Sequence, residues 1–378
     1  MSGVGSTEPP RSGGAGSAGA GAGTSGVGPT EPSRGGGAGF AGVGAAKLEP
    51  LIQLLGPVAL VVAVGVGSTQ VSRSLQISFL DALVSVAIVV AIYVFVGNSG
   101  VLSFGQISFV AVGAFAAGVL TVPLESKAFV LRDLFPLLRD HTIGNFASLL
   151  LAAAVGGVFA LVVGLPLMRL SGLAAGIATF AVLEITHNVL REWTRIGPGA
   201  TTLSLVPETT GPLQATLGAL AVIVAAFVYG RSRLGRMLRA TREDPAAAQA
   251  TGIDVHRQRL WAFTLSGALA GFAGGLLVHM LGSITTEQVY LELTFVTLAM
   301  LVVGGVTSLW GAVIGALAVS GLDSFLGRAE AGVNIGFTLD VPTGTRLVAV
   351  GGLMALVLVL RPSGLTGGRE LTLRRSTA

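Results

Sequence analysis

The sequence predicts an all-α fold, a polytopic bundle of about ten transmembrane helices. Hydrophobic residues make up 52% of the chain, and the mean hydropathy is +0.79. Charged residues account for only 11%, far below the roughly 25% that is typical of soluble domains. Ten apolar segments follow one another, several of them close to the ~20 residues that a helix needs to cross a bilayer. They lie at 51–67, 77–97, 104–122, 146–168, 170–190, 212–230, 260–281, 293–307, 309–326 and 345–361.

The apolar region is flanked by segments of a different composition. Residues 1–46 are rich in Gly, Ala, Ser and Pro, and the stretch SGVGSTEPPRSGGAG from Ser2 recurs as SGVGPTEPSRGGGAG from Ser25. Such a segment holds too few large apolar groups to offset the entropy of ordering, so we expect a disordered tail. The predicted organisation is this tail, a transmembrane domain at 47–362 and a short cytoplasmic tail at 363–378.

The stretch 231–259 is the longest strongly charged run between the apolar segments. Its seven arginines outnumber its three acidic residues, which leaves a formal charge of +4. Loops rich in Lys and Arg stay on the cytoplasmic side of a membrane, so we expect this loop to face the cytoplasm. Alternating the spans outward from it places both termini in the cytoplasm as well. The predicted location is the cell membrane, crossed many times.

The same loop contains a signature for one short helix. Asp244 is a good N-cap, Pro245 is favoured as the first helical residue, and Gly252 stands where a left-handed residue ends a helix. A helix of this length does not persist alone in water, so it needs a partner to pack against. Small side chains at Ala246, Ala247 and Ala250 suit a groove on that partner. The flanking charges Arg242 and Glu243 are predicted to orient it from the rim.

Three stretches, with a weaker fourth, carry a resemblance to a known family. They are GRMLRATREDPAAAQATGI at 235–253, NSGVLSFGQISFVAVGAFAAG at 98–118 and PLMRLSGLAAGIATFAVLE at 166–184, followed by VVGGVTSLWGAVIGA at 302–316. Over roughly residues 50–362 the chain resembles LivM-type permeases, the membrane subunits of branched-chain amino acid ABC importers of type II architecture.

The resemblance implies how the protein works and with what. The loop 231–259 would be the element that docks into cytoplasmic ABC ATPase subunits, with Arg242 to Ala247, Ala250 and Gly252 as the coupling residues. ATP would be bound by those partners, and this chain would carry no cofactor. A second related permease would complete the translocation pathway. An extracytoplasmic solute-binding protein is expected at 123–145, which mixes charged and apolar residues on the outer side of the predicted topology.

Five polar residues are candidates for the translocation pathway. Asn98, Ser103 and Gln106 interrupt two apolar segments together with helix-weakening glycines. This interruption is either a broken helix that borders a substrate path or an ordinary turn at the membrane surface. Glu184 shares a helical face with His187 and Asn188, and Thr179 lies one and a half turns earlier; a proton relay through Glu184 is one reading and interfacial anchoring is the other.

Other features have simpler readings. The ionisable residues near segment ends are expected to snorkel or to anchor at the interface; besides Glu184 and His187 they are Asp81, His279 and Asp323. Glycines four apart are expected to let helices approach closely in lipid, at Gly172/Gly176, Gly267/Gly271/Gly275 and Gly311/Gly315. Segments 293–307 and 309–326 form either a tight hairpin or two half-spans.

The sequence also limits the possible functions. Cysteine is absent, the four histidines show no metal-ligand spacing, and neither lysine follows a phosphate-binding loop. We therefore expect neither an enzyme nor a metal site. The arginines do not form an aromatic-interleaved basic face, so a nucleic-acid partner is not expected. The alternatives that stay open are a permease for urea or another small polar solute, and a stand-alone secondary transporter or channel.

Overall fold

Helices dominate the residues that the computed structural model describes, which are 41–131, 133–330, 344–361 and 363–367. They comprise a 3₁₀ turn at 287–289 and fourteen α-helices, namely α1 (Ala41–Thr69), α2 (Arg73–Ser99), α3 (Gln106–Thr121), α4 (Leu124–Val130), α5 (Pro136–Arg139), α6 (Asn145–Leu167), α7 (Gly172–Glu192), α8 (Pro212–Arg231), α9 (Arg233–Glu243), α10 (Pro245–Ala250), α11 (Val255–Leu281), α12 (Leu291–Gly304), α13 (Leu309–Glu330) and α14 (Thr345–Leu360).

The predicted all-α fold is confirmed in this part of the chain, and each of the ten apolar segments coincides with a helix. Seven helices are long and apolar enough to cross a membrane; they are α2, α6, α7, α8, α11, α13 and the run Glu287–Gly304 that ends in α12. Three shorter apolar helices lie at Gln53–Thr69, Gln106–Thr121 and Val348–Val357. The chain is therefore a multi-pass membrane protein, and the count of about ten spans stays a prediction.

The two predicted tails fall largely outside the described residues. Residues 1–40 and 368–378 are not among them, while 41–46 already belong to α1. The contacts discussed below all lie within Ala45–Ala378, which forms one unit.

Helix α2 runs through the core of this unit. Every residue from Ala82 to Ser99 is buried, as expected for a helix that is apolar on all sides. Against α2 lie α11, α8 and α13, and α11 also packs on α3 and α6. Three edge-to-face aromatic pairs join these helices, since Phe263 of α11 contacts Phe95 at 5.0 Å and Phe109 at 5.2 Å between ring centroids. Phe109 in turn contacts Phe159 of α6 at 5.7 Å.

Glycine lets the core helices touch through their backbones at two of the three predicted sites. A Cβ atom added at Gly271 would lie 2.3 Å from the carbonyl oxygen of Ala152 in α6, and one added at Gly315 would lie 2.0 Å from that of Met300. Helices α12 and α13 run antiparallel, since Gly311 lies against Gly304 and Gly315 against Met300, which favours the hairpin over two half-spans. The prediction for Gly172/Gly176 is wrong within this chain. A Cβ atom added at Gly172 would meet no atom within 4 Å, and one added at Gly176 would meet only Phe104, at 3.9 Å, because the start of α7 lies at the edge of the bundle.

The bundle has two distinct ends. One end carries residues 231–256 together with the last turns of α2, α6 and α8, and we call it the arginine-rich end. There His256 Nδ1 lies 2.7 Å from the carbonyl oxygen of Met168, which joins the start of α11 to the end of α6. The opposite end carries 123–145, 191–211 and 282–290, where Leu203 and Ile284 form an isolated antiparallel bridge.

Three ionisable residues towards the opposite end contact distant parts of the chain, contrary to the snorkelling or interfacial anchoring expected of them; His279 is buried, and Asp81 and Asp323 are partly buried. His279 is fully buried, with Nε2 2.9 Å from Ser148 Oγ and Nδ1 3.2 Å from the carbonyl oxygen of Pro207. Asp323 forms an ion pair with Arg346 at 2.6 Å, and Asp81 interacts electrostatically with both. Their neighbours come from distant segments of the chain, which is why local spacing misjudged them.

The segment 123–145 contains α4 and α5. The charged side chain of Lys127 is buried within it. The ammonium nitrogen donates to the carbonyl oxygens of Leu138, at 2.9 Å, and His141, at 2.6 Å. Burial lowers the pKa of Lys127 from its ordinary value. This lysine therefore fastens the segment from within, while Glu125, Asp133 and Asp140 stay exposed.

Candidate functional site

The predicted short helix is present as α10, and its capping is confirmed. Asp244 Oδ1 accepts hydrogen bonds from the backbone N–H groups of Ala246, at 2.9 Å, and Ala247, at 3.0 Å. Pro245 is the first helical residue, and Gly252 follows the helix with a φ of 84°, in the left-handed region. The cap and the stop signal therefore fix both ends of a six-residue helix.

α10 presents small side chains to its surroundings. Ala246, Ala247 and Ala250 are exposed, whereas Ala248 is buried against the neighbouring helices α9 and α11. One residue thus attaches the helix to the bundle and three are free to contact another surface. Alanine offers little bulk and no polar group that must stay hydrated, so this face suits insertion into a groove.

The structure adds a second helix, α9, that the sequence reasoning missed. The hydroxyl of Ser232 caps it by accepting a hydrogen bond from the N–H of Gly235 at 3.2 Å. Leu238 and Thr241 are buried, whereas Arg233 is exposed. The signal was available, because the inward residues recur at helical spacing behind a capping serine. The helix was missed because its many arginines made the segment look like a charged loop.

Two arginines of α9 hold the last turn of α2. Arg242 Nη1 donates to the carbonyl oxygen of Gly97 at 2.8 Å, and Arg239 Nη1 donates to Asn98 Oδ1 at 3.1 Å. A helix leaves its last carbonyl groups unpaired and carries partial negative charge there, so guanidinium groups are well placed. Arg242 also pairs with Glu243 at 3.3 Å, with 26% of its side chain exposed against 75% for Glu243. Arg242 thus joins α9 to α2, which is a role beyond its predicted one as a charge that orients α10 on a partner.

After this anchored turn the backbone is irregular from Gly100 to Gly105. Gly100 has a φ of 70° and ends α2, and α3 begins only at Gln106. Ser266 Oγ lies 2.7 Å from the Ala91 carbonyl oxygen and 3.0 Å from Gln106 Oε1, within hydrogen-bond distance of both, so Gln106 lies near the level of Ala91. Ala91 precedes Ser99 by eight residues, about 12 Å of helix. Of the two readings of this interruption, the geometry favours the broken helix within the bundle.

Polar side chains line this break without being satisfied. Ser103 Oγ, Gln106 Nε2 and Ser108 Oγ are buried and have no hydrogen-bond partner among the described residues. Thr179 Oγ1 accepts from the backbone N–H of Phe104 at 3.2 Å, which joins α7 to the break. Unsatisfied buried polar groups are costly, and groups of this kind are suited to contact a polar solute or water.

The five pathway candidates thus fall into two places. Ser103, Gln106 and Thr179 border the break, and Asn98 lies at its α2 side, where Val94 and Arg239 satisfy its side chain. Glu184 lies elsewhere, towards the opposite end of α7.

Glu184 belongs to a network between α7 and the residues just before α12. It accepts hydrogen bonds from the hydroxyl of Tyr290 and from Asn188 Nδ2, the latter at 2.8 Å. The ring of His187 stacks on that of Tyr290 at 3.9 Å, and His187 Nε2 lies 3.4 Å from Glu287. His187 is buried, contrary to the interfacial anchoring expected of it. Sequence reasoning found the face of α7 but missed Tyr290 and Glu287, which are about a hundred residues away in the chain.

These features define a class of protein. The chain is a helical multi-pass membrane protein whose core contains a broken helix, and whose arginine-rich end presents a capped helix connected to that break. Among the described residues no group of acidic or histidine side chains is arranged to hold a metal ion.

The comparisons with known proteins identify the family. A family model described as branched-chain amino acid transport system / permease component matches residues 75–358, and the chain belongs to this family. It is 28% identical over 307 residues to the high-affinity branched-chain amino acid transport system permease protein LivM of Salmonella typhimurium, and 27% identical to that of Escherichia coli. Each alignment covers 72% of this chain and 65% of the relative, so the chain spans about two thirds of their length.

A shorter match involves a protein with a different solute in its name. The xylose transport system permease protein XylH of Haemophilus influenzae is 29% identical over 152 residues, 39% of this chain and 38% of the relative. No solved structure matches the chain. The family is thus a family of transport permeases, while the names of the proteins to which the chain is similar include more than one solute.

Proposed function

We propose that this chain is the membrane permease subunit of a type II ABC importer for branched-chain or related amino acids. It forms part of the translocation pathway, and ATP is hydrolysed on separate ABC ATPase subunits that dock on α10. In this proposal the chain crosses the membrane ten times and both termini lie in the cytoplasm. The arginine-rich end then also faces the cytoplasm, where the ATPase subunits bind. A second related permease completes the pathway, and a solute-binding protein docks on the opposite end, at 123–145.

One observation carries this proposal, the continuous connection from an exposed helix to the broken helix in the core. Ala246, Ala247 and Ala250 form the free face of α10, α9 follows directly before it, and Arg242 of α9 contacts the end of α2. Force applied to α10 therefore reaches the residues next to the break. A simple connector between two spans needs neither the exposed small face nor the anchored arginines.

The substitution Ala250→Glu tests the docking. Its side chain is exposed in this chain, so the change leaves the fold of the permease intact. Burying an unpaired carboxylate against an ATPase subunit costs several kcal/mol, and we expect both uptake and co-purification of the ATPase subunits to be lost at unchanged membrane abundance. Ala240→Glu is the matched control, because it places the same group on an exposed position of α9. Normal uptake and normal ATPase retention in Ala250→Glu would favour a stand-alone transporter or channel.

The solute is addressed by a separate experiment. The alternative substrate is urea or another small polar solute. The similarity to a permease of a xylose transport system is a reason to test that class of solute as well. Binding of leucine, isoleucine and valine to the cognate solute-binding protein, measured beside urea and xylose, distinguishes the two. Preference for the branched-chain amino acids supports the proposal, and preference for urea or a sugar replaces the substrate while leaving the transport mechanism in place.

A further inference from the structure

An open cleft with a volume of about 470 Å³ lies at the arginine-rich end, apart from α10 and from the break. It lies between α1, α8, α9 and the turn that precedes α13. Its polar lining consists mainly of the guanidinium groups of Arg231, Arg236 and Arg239, with Gln53 and Thr307 beside them, and Phe227 contributes an aromatic wall. Of the residues that line this cleft, only Arg239 also takes part in the proposed transport mechanism, through its bond to Asn98.

The three arginines gather here without a carboxylate. None of them forms an ion pair with any acidic residue whose side chain the structure describes, whereas Arg191, Arg242 and Arg346 all do. The described residues that line the cleft include no acidic one either. Like charges at close range repel each other, so a bound anion would stabilise this arrangement.

The guanidinium groups are held in place but keep donors to spare. Arg231 donates to Gln53 Oε1 at 2.8 Å and lies over the ring of Phe227 at 4.9 Å. Arg236 donates to the carbonyl oxygen of Arg231 at 2.8 Å, and Arg239 donates to that of Gly230 at 2.7 Å. Each guanidinium has five N–H donors, so several remain for a ligand. Oriented guanidinium groups favour planar or tetrahedral oxyanions such as carboxylate and phosphate.

Exposed apolar residues lie on α1 and α8, two of the helices that line the cleft. On α8, Val228 and Val224 lie about one and two turns before Arg231 and are 60% and 42% exposed. On α1, Leu55 is 52% exposed two residues after Gln53. A soluble anion has no use for such walls. An anion attached to hydrocarbon chains fits both the charged cleft and the apolar helix faces beside it.

We propose that this cleft binds the phosphate group of an anionic phospholipid, whose acyl chains lie against α1 and α8. Basic pockets between membrane helices are a recurring form of lipid headgroup site, and aromatic residues are favoured at the headgroup level. The lipid belongs to the leaflet at the arginine-rich end. This site goes beyond the proposed function, because it does not depend on which solute is carried or on whether α10 docks an ATPase.

The test compares lipid binding to purified full-length chains in a neutral detergent by native mass spectrometry. Phosphatidylglycerol and phosphatidylcholine are titrated separately into the wild type, Arg231→Gln/Arg236→Gln and the control Arg233→Gln/Arg257→Gln. The two double variants lose the same charge, but Arg233 and Arg257 do not line the cleft. Arg239 is left unchanged because it also holds Asn98.

We expect the wild type to retain phosphatidylglycerol in preference to phosphatidylcholine. The cleft variant should bind phosphatidylglycerol about fivefold more weakly for each arginine removed, and the control should match the wild type. Equal phosphatidylglycerol binding in all three proteins would overturn the proposal. Displacement by millimolar inorganic phosphate, with no preference between the lipids, would overturn the lipid source and leave a site for soluble phosphate.

A second measurement on the wild type alone guards against a variant that fails to fold. A phosphatidylglycerol with a photoreactive acyl chain should label peptides of α1 and α8 next to the cleft, around Leu55 and Val228. Labelling spread evenly over the exposed helices would count against the site. Reduced ATPase retention in the cleft variant, without a change in lipid binding, would instead make this cleft a contact for a protein partner.

Discussion

Replacing Arg242 by glutamine should separate the two roles that we propose for α9 and α10, docking of the ATPase subunits and transmission of their motion to α2. In the structure Arg242 is turned towards α2, where it donates to the carbonyl oxygen of Gly97 at 2.8 Å. Glutamine is too short and uncharged to keep this contact from the same position on α9. The substitution leaves α10, with its cap at Asp244 and its exposed alanines, unchanged. We therefore expect the ATPase subunits to remain bound while their motion is transmitted poorly.

The size of the effect follows from the bonds that are lost. A hydrogen bond that involves a charged group contributes about 1.5–3 kcal/mol, and a cation at a helix C-terminus adds roughly 0.3–1 kcal/mol. About a quarter of the Arg242 side chain is exposed, so water replaces part of this interaction. A net loss of about 1–2 kcal/mol raises the ratio of unanchored to anchored α9 by roughly five- to thirtyfold.

The assay is solute uptake per ATP hydrolysed by the reconstituted transporter, with ATPase co-purification and membrane abundance measured in parallel. Arg242→Gln should lower this ratio severalfold with normal ATPase retention, in contrast to Ala250→Glu. Arg233→Gln, an exposed arginine of the same helix, should behave as the wild type. An unchanged ratio in Arg242→Gln would refute the reasoning. Loss of the ATPase subunits would show that Arg242 belongs to the docking surface.

Three other predictions test the break, the topology and the segment 123–145. A Cβ atom at Gly105 would lie 2.5 Å from a backbone oxygen of α7, so Gly105→Ala should reduce uptake severalfold, whereas Gly176→Ala, whose nearest neighbour is 3.9 Å away, should not. Reporter fusions after Gly144 and after Ser363 should report opposite sides of the membrane, and the same side for both would refute the topology. Burial lowers the pKa of Lys127, so the unfolded chain binds more protons at alkaline pH. The thermal stability of the wild type in detergent, relative to Lys127→Met, should therefore rise as the pH approaches the unfolded pKa of 10.5, and a parallel pH profile for the two proteins would contradict this.

The features that the sequence predicted well are those that depend on near neighbours in the chain. Apolar length marked the helices, and the order Asp-Pro-Ala with a later glycine marked α10, because a cap bonds to N–H groups only two or three residues away. The same holds for Asn188, which bonds to Glu184 one turn before it.

Features that depend on distant neighbours were missed or misjudged. Arg239 and Asn98 are separated by 141 residues, and Glu184 and Tyr290 by 106. Lys127 looked like one of several surface charges, and only the folded loop shows that it is enclosed. Glycine spacing failed at Gly172 for a related reason. Spacing indicates that a helix can approach another closely, but only the packing shows whether a helix lies there.

The position of α2 explains why the break in the backbone matters for coupling. This helix is buried along eighteen consecutive residues, Ala82–Ser99, so it cannot shift as a whole without disturbing close packing on all sides. A displacement applied through Arg242 at Gly97 is therefore absorbed where the backbone lacks the regular helical hydrogen bonds, between Gly100 and Gly105. Segments of this kind act as hinges because a few residues take up a large change in backbone angles. The side chains that move first are then those of Ser103 and Gln106, which carry the unsatisfied polar groups at the break. We expect motion at the arginine-rich end to change the hydration and solute contacts of these two residues before it changes the network around Glu184.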